Sequence, residues 1–308
     1  IDPKDYIFFN TDGTFDSERT NTTLSGLLKY VGRAVIPGFY GLMPDGHIRT
    51  FTRGGSDITG ALAAAALDAD VYENWTDVSG FLMADPRIVK DPKVIDTITY
   101  HELRELSYMG ATVLHEDAIF PVRVAGIPIN IKNTNHPEDK GTMIVPSADI
   151  SASEDIITGI AGKKGFSVIR IEKDMMNQEL GFGMRVLRVF SDLDIQFEHL
   201  PSGIDTMCVV INEADMKGRE RDILSALQKA VNPDNIDITT SLSLLAVVGR
   251  NMAGMHGTAA RVFNSLAKEN INIRMIDQGS SELNIIIGVD EACFARAINA
   301  IYKEFCNE

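Results

Sequence analysis

The sequence predicts an α/β protein in two parts: an alternating strand–helix region, then two ferredoxin-like βαββαβ units. Three observations predict it. Over residues 1–145, apolar residues switch repeatedly between strand and helix periodicity. A polar stretch at 146–162, carrying Pro146, Ser147, Ser151, Ser153 and Gly162, separates this region from the rest. The rest repeats itself at a shift of 76 residues. Ser167-Val168-Ile169-Arg170-Ile171 lies over Ser243-Leu244-Leu245-Ala246-Val247, Gly181 over Gly257, Arg185-Val186 over Arg261-Val262, Phe190 over Leu266 and Ile195 over Ile271.

In the first region, Arg33-Ala34-Val35-Ile36-Pro37-Gly38-Phe39-Tyr40-Gly41 is a short apolar run closed by glycine, a strand entering a loop. Residues 48–52 alternate as a second strand. Gly54-Gly55-Ser56-Asp57 opens an alanine-rich helix to about residue 67, with Ser56 or Asp57 as its cap. Residues 71–75 form a buried strand delivering Thr76-Asp77 to a sheet edge. Residues 101–108 and 113–124 are helical, and 127–131 form a further strand. Such alternation favours a largely parallel sheet with helices on its faces and ligands beyond the strand ends. Asp68, Asp70, Glu102 and Glu105 read as solvated helix-surface charge. Each copy of the repeat runs strand, glycine-containing loop, helix, strand, then a second strand (206–211; 283–289) and a closing helix (218–230; 291–305).

With 44% hydrophobic and 23% charged residues, the 308-residue chain can fill a core. Its net charge of −14 repels nucleic acid and anionic membrane surfaces, so neither is an expected partner. No apolar stretch is long enough to span a bilayer. Cys208, Cys293 and Cys306 are odd in number and scattered without metal-ligand spacing. That pattern fits a reducing cytoplasm and no metal site or disulfide scaffold. The chain opens on Ile1-Asp2-Pro3-Lys4-Asp5, which reads as mid-protein sequence, so a preceding segment is expected.

Three segments can carry chemistry. In Arg53-Gly54-Gly55-Ser56-Asp57, glycines admit a ligand close to the backbone and a helix N-terminus offers free N–H groups to a phosphate or carboxylate. Arg53 adds a planar fork for a carboxylate. Taken alone, the segment also reads as a glycine turn and helix cap with an exposed arginine. In Trp75-Thr76-Asp77-Val78-Ser79-Gly80-Phe81-Leu82-Met83-Ala84-Asp85-Pro86-Arg87, Thr76 and Asp77 can bind ribose or purine groups, and Arg87 can reach phosphate oxygens. Alone, this is equally a strand and an Asp-Pro turn. In Met109-Gly110-Ala111-Thr112-Val113-Leu114-His115-Glu116, His115 is a general-base candidate or a structural hydrogen-bonding group.

These segments, in this order and ahead of a doubled βαββαβ unit, resemble aspartate kinase. Arg53-Gly54-Gly55-Ser56-Asp57 resembles its Arg-Gly-Gly-Ser-Asp signature, Trp75 to Arg87 its Thr-Asp-Val-x-Gly…Asp-Pro-Arg nucleotide segment, Gly110 to His115 its Gly-Ala-Lys-Val-Leu-His segment, and the repeat its paired ACT domains. The resemblance implies the carboxy-terminal part of a three-layer amino-acid kinase fold at 1–147 (the nucleotide side), then ACT domains at 148–232 and 233–308. It implies transfer of the γ-phosphoryl group of Mg²⁺-bound ATP to the side-chain carboxylate of L-aspartate, giving 4-phospho-L-aspartate for lysine, threonine and methionine biosynthesis. On the family pattern Arg53 holds the substrate α-carboxylate, with Gly54, Gly55, Ser56 and Phe39 lining the pocket. Asp57 orders the catalytic centre, and Thr76, Asp77 and Arg87 contact ATP. A carboxylate nucleophile needs no strong base, so the work is positioning and charge neutralisation.

The chain departs from the family in two respects. An amino-terminal Lys-Phe-Gly-Gly segment is absent, so the chain alone is expected to be inactive. Thr112 and Glu116 stand where Lys and Pro are usual. An alternative reading is a non-catalytic amino-acid-sensing and dimerising subunit; a glutamate kinase is disfavoured by the paired ACT units.

By the same resemblance, ACT units pair between subunits into a homodimer or larger assembly. They bind an amino acid, lysine ahead of threonine, at the loop spanning 174–183. Met176, Phe182 and Gly183 belong to that loop, whose N–H groups can take the effector's carboxylate. Glu179 and Glu198 are expected to hold its ammonium group, with Ser202 on the facing turn; Glu198 replaces a frequent Asp. The equivalent loop of the second copy, with Asn251, Met252, Gly254 and Met255, is expected to serve the interface.

Overall fold

The computed structural model describes residues 1–51, 54–111, 116–148 and 155–306. The chain folds as two units: residues 1–83 with 92–154, and residues 84–91 with 155–308. Arg53, Thr112 and His115 lie outside the described residues.

In the first unit, α1 (Ser17–Leu28) precedes a two-stranded antiparallel ladder of β1 (Tyr40–Leu42) and β2 (Ile48–Thr50). The strand expected within 33–41 therefore begins only at Tyr40, because Pro37 and Gly38 interrupt the run. The alanine-rich helix α2 spans Gly55–Ala66 and leads into β3 (Tyr72–Thr76). After β4 (Thr97–Thr99) come α3 (Tyr100–Tyr108), α4 (Glu116–Ala125), β5 (Ile129–Asn133) and β6 (Thr142–Val145).

Four of these strands form a sheet in the order β3-β5-β6-β4. The sheet is mixed rather than largely parallel. β3–β5 and β4–β6 are parallel, whereas β5–β6 is antiparallel, because a short connection joins β5 to β6 with no crossover helix. As an edge strand, β3 buries only Asn74 and leaves Trp75 47% exposed, against the expectation of a buried strand. Tyr6, Ile7, Phe9, Leu24, Leu28 and Leu62 form an apolar cluster with Phe15 and Phe51 around it. Glu102 is fully buried rather than a solvated charge. Its carboxylate accepts from the Thr99 N–H (2.9 Å) and hydroxyl (2.7 Å), and its own N–H donates to Thr99 Oγ1, a capping box that starts α3.

The second unit holds β7 (Gly159–Glu172), α5 (Phe182–Asp192), β8 (Phe197–His199), β9 (Thr206–Asn212), the short α6 (Glu213–Met216), α7 (Glu220–Val231), β10 (Asn235–Val248), α8 (Thr258–Lys268), β11 (Ile273–Asp277), β12 (Asn284–Asp290) and α9 (Phe294–Cys306). Its six-stranded sheet runs β11-β12-β10-β7-β9-β8. Two ferredoxin-like ladders are fused in it through their long strands. Residues 166–172 of β7 pair with β9, and residues 168–172 pair with 235–239 of β10 on the other side. Residues 242–248 of β10 pair with β12 and, on the other side, with 159–166 of β7.

The first copy is closed by the strand that follows it in sequence, and the second by a strand that precedes the first. The strand closing the first copy continues directly into the one opening the second. The strand closing the second is the lead-in to the first, so residues 159–162 are strand rather than linker. The ladder slips between Thr239 and Ser243, where Ser241 takes φ 58°. His199 on β8 and Asp277 at the end of β11 belong to opposite edge strands, yet their side chains meet at 2.8 Å, so the bent sheet brings its edges together. Ile169, Ile171, Val209 and Ile211 pack against Val186 and Phe190 of α5 and Ile223 and Leu227 of α7.

Candidate active site

The first turn of α2 gathers most of the residues expected to bind substrate. Gly54 is the N-cap, at φ 58°, and among the described residues no side chain caps the helix. That corrects the expectation of a cap from Ser56 or Asp57. Both lie inside the first turn, where Ser56 is exposed and the Asp57 side chain bonds elsewhere. The free N–H groups of an uncapped α-helix, with its positive dipole end, suit an anion.

Phe39 stands directly over Gly55: a Cβ added there would lie 2.7 Å from the Phe39 ring. Thr59 holds this approach, because its hydroxyl accepts from the Phe39 N–H (3.2 Å) and donates to the Gly55 carbonyl (2.7 Å). Phe39 itself takes φ 84° and is half-exposed. So Phe39, Gly54, Gly55, Ser56 and Asp57 come together. Thr59, buried one turn along, is a residue that sequence reasoning misses, although its spacing of four from Gly55 is readable there.

Asp57 Oδ1 accepts from Asn74 Nδ2 at 2.9 Å, and the same nitrogen lies 3.1 Å from the Tyr72 hydroxyl. β3 then delivers Thr76 and Asp77 to its carboxyl end, where the Thr76 hydroxyl donates to Asp77 Oδ1 (3.2 Å). Beyond them Asn133, at the end of β5, donates to Ser79 Oγ (2.8 Å), and Ser79 donates to Asp139 Oδ2 (2.5 Å). These two bonds fasten the turn that follows Asp77. Arg87, the third expected nucleotide residue, falls in the second unit. It forks onto Asp85, with Nε 3.0 Å from Oδ1 and Nη2 2.7 Å from Oδ2. That bond holds the Asp85 carboxyl below its ordinary range, and the arginine stays largely exposed.

Residues 3–133 match the model of the amino acid kinase family, and residues 245–305 match that of the ACT domain. Aspartokinase 3 of Bacillus subtilis is 40% identical over 309 residues, covering 99% of this chain and 68% of that protein. The Schizosaccharomyces pombe aspartokinase is 32% identical over 290 residues, covering 88% of the chain and 55% of its own length. The crystal structure of Clostridium acetobutylicum aspartate kinase superimposes with a TM-score of 0.90 at 51% identity, over 99% of this chain and 70% of that one. The chain belongs to the aspartokinase family.

In this aspartokinase chain the expected effector loop lies between β7 and α5. Met175 (φ 61°) and Gly181 (φ 75°) turn it, and Gly181 is the N-cap of α5 with no side-chain cap. Met176 and Phe182 are buried beneath the loop, and Leu180 is 96% exposed. Glu179 is engaged from within. Lys173 Nζ lies 2.5 Å from Oε2, and Arg185 Nη2 bonds Oε1, so both oxygens already meet cations of the same unit. These bonds, that of Lys173 foremost, hold the Glu179 carboxyl below its ordinary range. An ammonium group arriving at Glu179 would share its carboxylate with these two cations. Gly183 lies in the first turn of α5. Glu198 is on β8, and the Ser202 hydroxyl donates to the Leu200 carbonyl (3.2 Å) just beyond it.

Proposed function

We propose that this chain carries the substrate and nucleotide segments of an aspartate kinase with amino-acid feedback through its paired ACT-like units. The functional division is 1–147, 148–232 and 233–308, the last two sharing strands as described. The observation that carries the reading is the first turn of α2, which no described side chain caps and whose N-terminal end lies beside Ser56, Phe39 and Asp57.

In the proposed reaction an oxygen of the aspartate side-chain carboxylate attacks the γ-phosphorus of MgATP. A new P–O bond forms as the bond to the ADP oxygen breaks, and ADP carries the released charge. The carboxylate arrives ionised, so no proton is removed. Arg53 and the α2 N-terminus hold the amino-acid carboxylate. Phe39 and Ser56 shape the pocket, and Asp57 orders the groups around the transferring phosphoryl. Thr76 and Asp77 hold the nucleotide, and Arg87 is the family's phosphate-binding arginine by its motif. Mg²⁺ enters with ATP as part of the substrate.

Lysine, ahead of threonine, is the proposed effector, its carboxylate at the uncapped α5 terminus and its ammonium group toward Glu198. The reading is tested by trapping the acyl phosphate with hydroxylamine in an assay of the intact enzyme, with lysine or threonine titrated in. Aspartate-dependent hydroxamate that lysine suppresses supports it. ADP release independent of aspartate would refute it.

A further inference from the structure

Strand periodicity places Tyr72 and Asn74 on one face of β3, the face toward α2, where an apolar residue would ordinarily sit. Asn74 is only 7% exposed. A buried amide is tolerated only when bonded, and here both hydrogens of Nδ2 have acceptors. One faces Asp57 Oδ1 at 2.9 Å, the other the Tyr72 hydroxyl oxygen at 3.1 Å. That hydroxyl lies 3.3 Å from the Asp57 backbone carbonyl, to which it donates. Asp57 is thus tied at its carboxylate and at its main chain by two residues of the neighbouring strand.

Gly60 makes the arrangement sterically possible: a Cβ there would lie 2.6 Å from the Tyr72 hydroxyl oxygen. Burial pushes the Tyr72 phenol up, and the Asp57 charge adds to that against the Asn74 bond, so the phenol keeps its proton and remains a donor.

We propose that Asn74 and Tyr72 are positioning residues that fix the orientation of the Asp57 carboxylate at the first turn of α2. This rests on the reading of that turn as the phosphoryl-transfer centre. A carboxylate left to rotate would spend much of its time misaligned with the reacting groups. Misplacement by about 1 Å costs on the order of 100-fold in rate. The dyad acts on orientation rather than affinity, so its loss lowers kcat and leaves the aspartate KM nearly unchanged.

The test uses the intact enzyme with Asn74→Leu, Tyr72→Phe, Asp57→Ala and the Asp57→Ala/Asn74→Leu double variant, in the hydroxamate assay and in thermal melts. Tyr72→Phe keeps the ring and removes only the hydroxyl, which guards against a variant that fails to fold. Asn74→Leu should lower kcat by roughly 10- to 100-fold with aspartate KM within about twofold, and Tyr72→Phe should lower kcat several-fold. In the Asp57→Ala background, Asn74→Leu should cost nothing more, because its effect runs through the carboxylate. Additive losses, a KM effect alone, or an unchanged kcat in both single variants would overturn the proposal. If Asp57→Ala retained full activity, the role of Asp57 and the dyad would fall together while the kinase reading stood. A wild-type enzyme that phosphorylates no aspartate would overturn both readings.

Discussion

The two ferredoxin-like copies share a scaffold and treat their first strand–helix loop in opposite ways. In the first copy the loop is held by side-chain charge: Lys173 and Arg185 converge on Glu179. In the second copy the counterpart of Lys173 is Gly249, and the chain at 156–158 runs across it. A Cβ on Gly249 would lie 2.7 Å from the Ile156 carbonyl and 2.8 Å from Ile157 Cα. The counterpart of Arg185, Arg261, turns away from the loop and reaches Glu304 on α9, with Nε 3.2 Å from Oε1 and Nη2 2.7 Å from its carbonyl. The Gly254 N–H is taken by the Glu282 carboxylate at 2.6 Å. One loop is thus filled by the protein's own backbone and carboxylate, and the other is framed by charged side chains. A duplicated unit can keep its core and still divide its labour, through what the rest of the chain lays over the loop.

The comparison can be broken most forcefully at Gly249. Its backbone is extended, so any residue fits its torsions, and only the crossing chain forbids a side chain. Gly249→Ala should destabilise by about 3 kcal/mol, as overpacking against backbone does, read as a lowered midpoint in urea. A Gly249→Ala midpoint equal to wild type would mean the crossing segment yields freely.

The copies should agree at Ser167 and Ser243. Each hydroxyl is fully buried at the same position of the repeat and has no hydrogen-bond partner among the described residues. Ser167→Ala and Ser243→Ala should each stabilise by about 1 kcal/mol, the desolvation cost of an unpaired hydroxyl. Opposite signs in the two variants would show that the cores are not equivalent.

A smaller effect separates the paired arginines. Arg261→Ala removes a bond between helices and should cost about 0.5 kcal/mol in the same unfolding experiment. Arg185→Ala leaves Lys173 on Glu179 and should shift the midpoint by less than that. A shift in Arg185→Ala as large as that of Arg261→Ala would show that Lys173 does not hold the loop alone.

The smallest effect is on acidification. The Glu179 carboxyl sits below its ordinary value because of Lys173 and Arg185. A group depressed on folding contributes its full stabilisation above its unfolded pKa and loses it as pH falls through the folded value. Hydrogen-exchange protection factors in the loop at 173–185 should therefore hold through the ordinary glutamate range and fall only below it. Glu179→Gln should remove that pH dependence.

Much of the fold and site is legible in the sequence because it is local. The Gly54–Gly55 opening of α2, the Thr76-Asp77 strand end and the apolar register of the repeat depend on neighbours in sequence. The capping box of α3 is also readable, in the Thr99-x-x-Glu102 spacing, although composition alone makes Glu102 look like surface charge. Asn74 is not readable: nothing near it in sequence indicates that its amide meets a carboxylate on the adjacent helix. Lys173 and Arg185 bracket Glu179 in sequence, but only the turn at Met175 and Gly181 shows that both reach it.

By itself, the sequence determined the α/β class, the doubled unit and the family, since periodicity, turn residues and short motifs are carried by consecutive residues. Tertiary structure alone decided the mixed order of the first sheet, the closing of the second copy by the lead-in strand of the first, and the clamp on Asp57. Each of these depends on which distant segments lie side by side. That is set by how β7 and β10 run through both ladders and by how β3 lies along α2, and burial and hydrogen-bond satisfaction settle it over the whole chain at once.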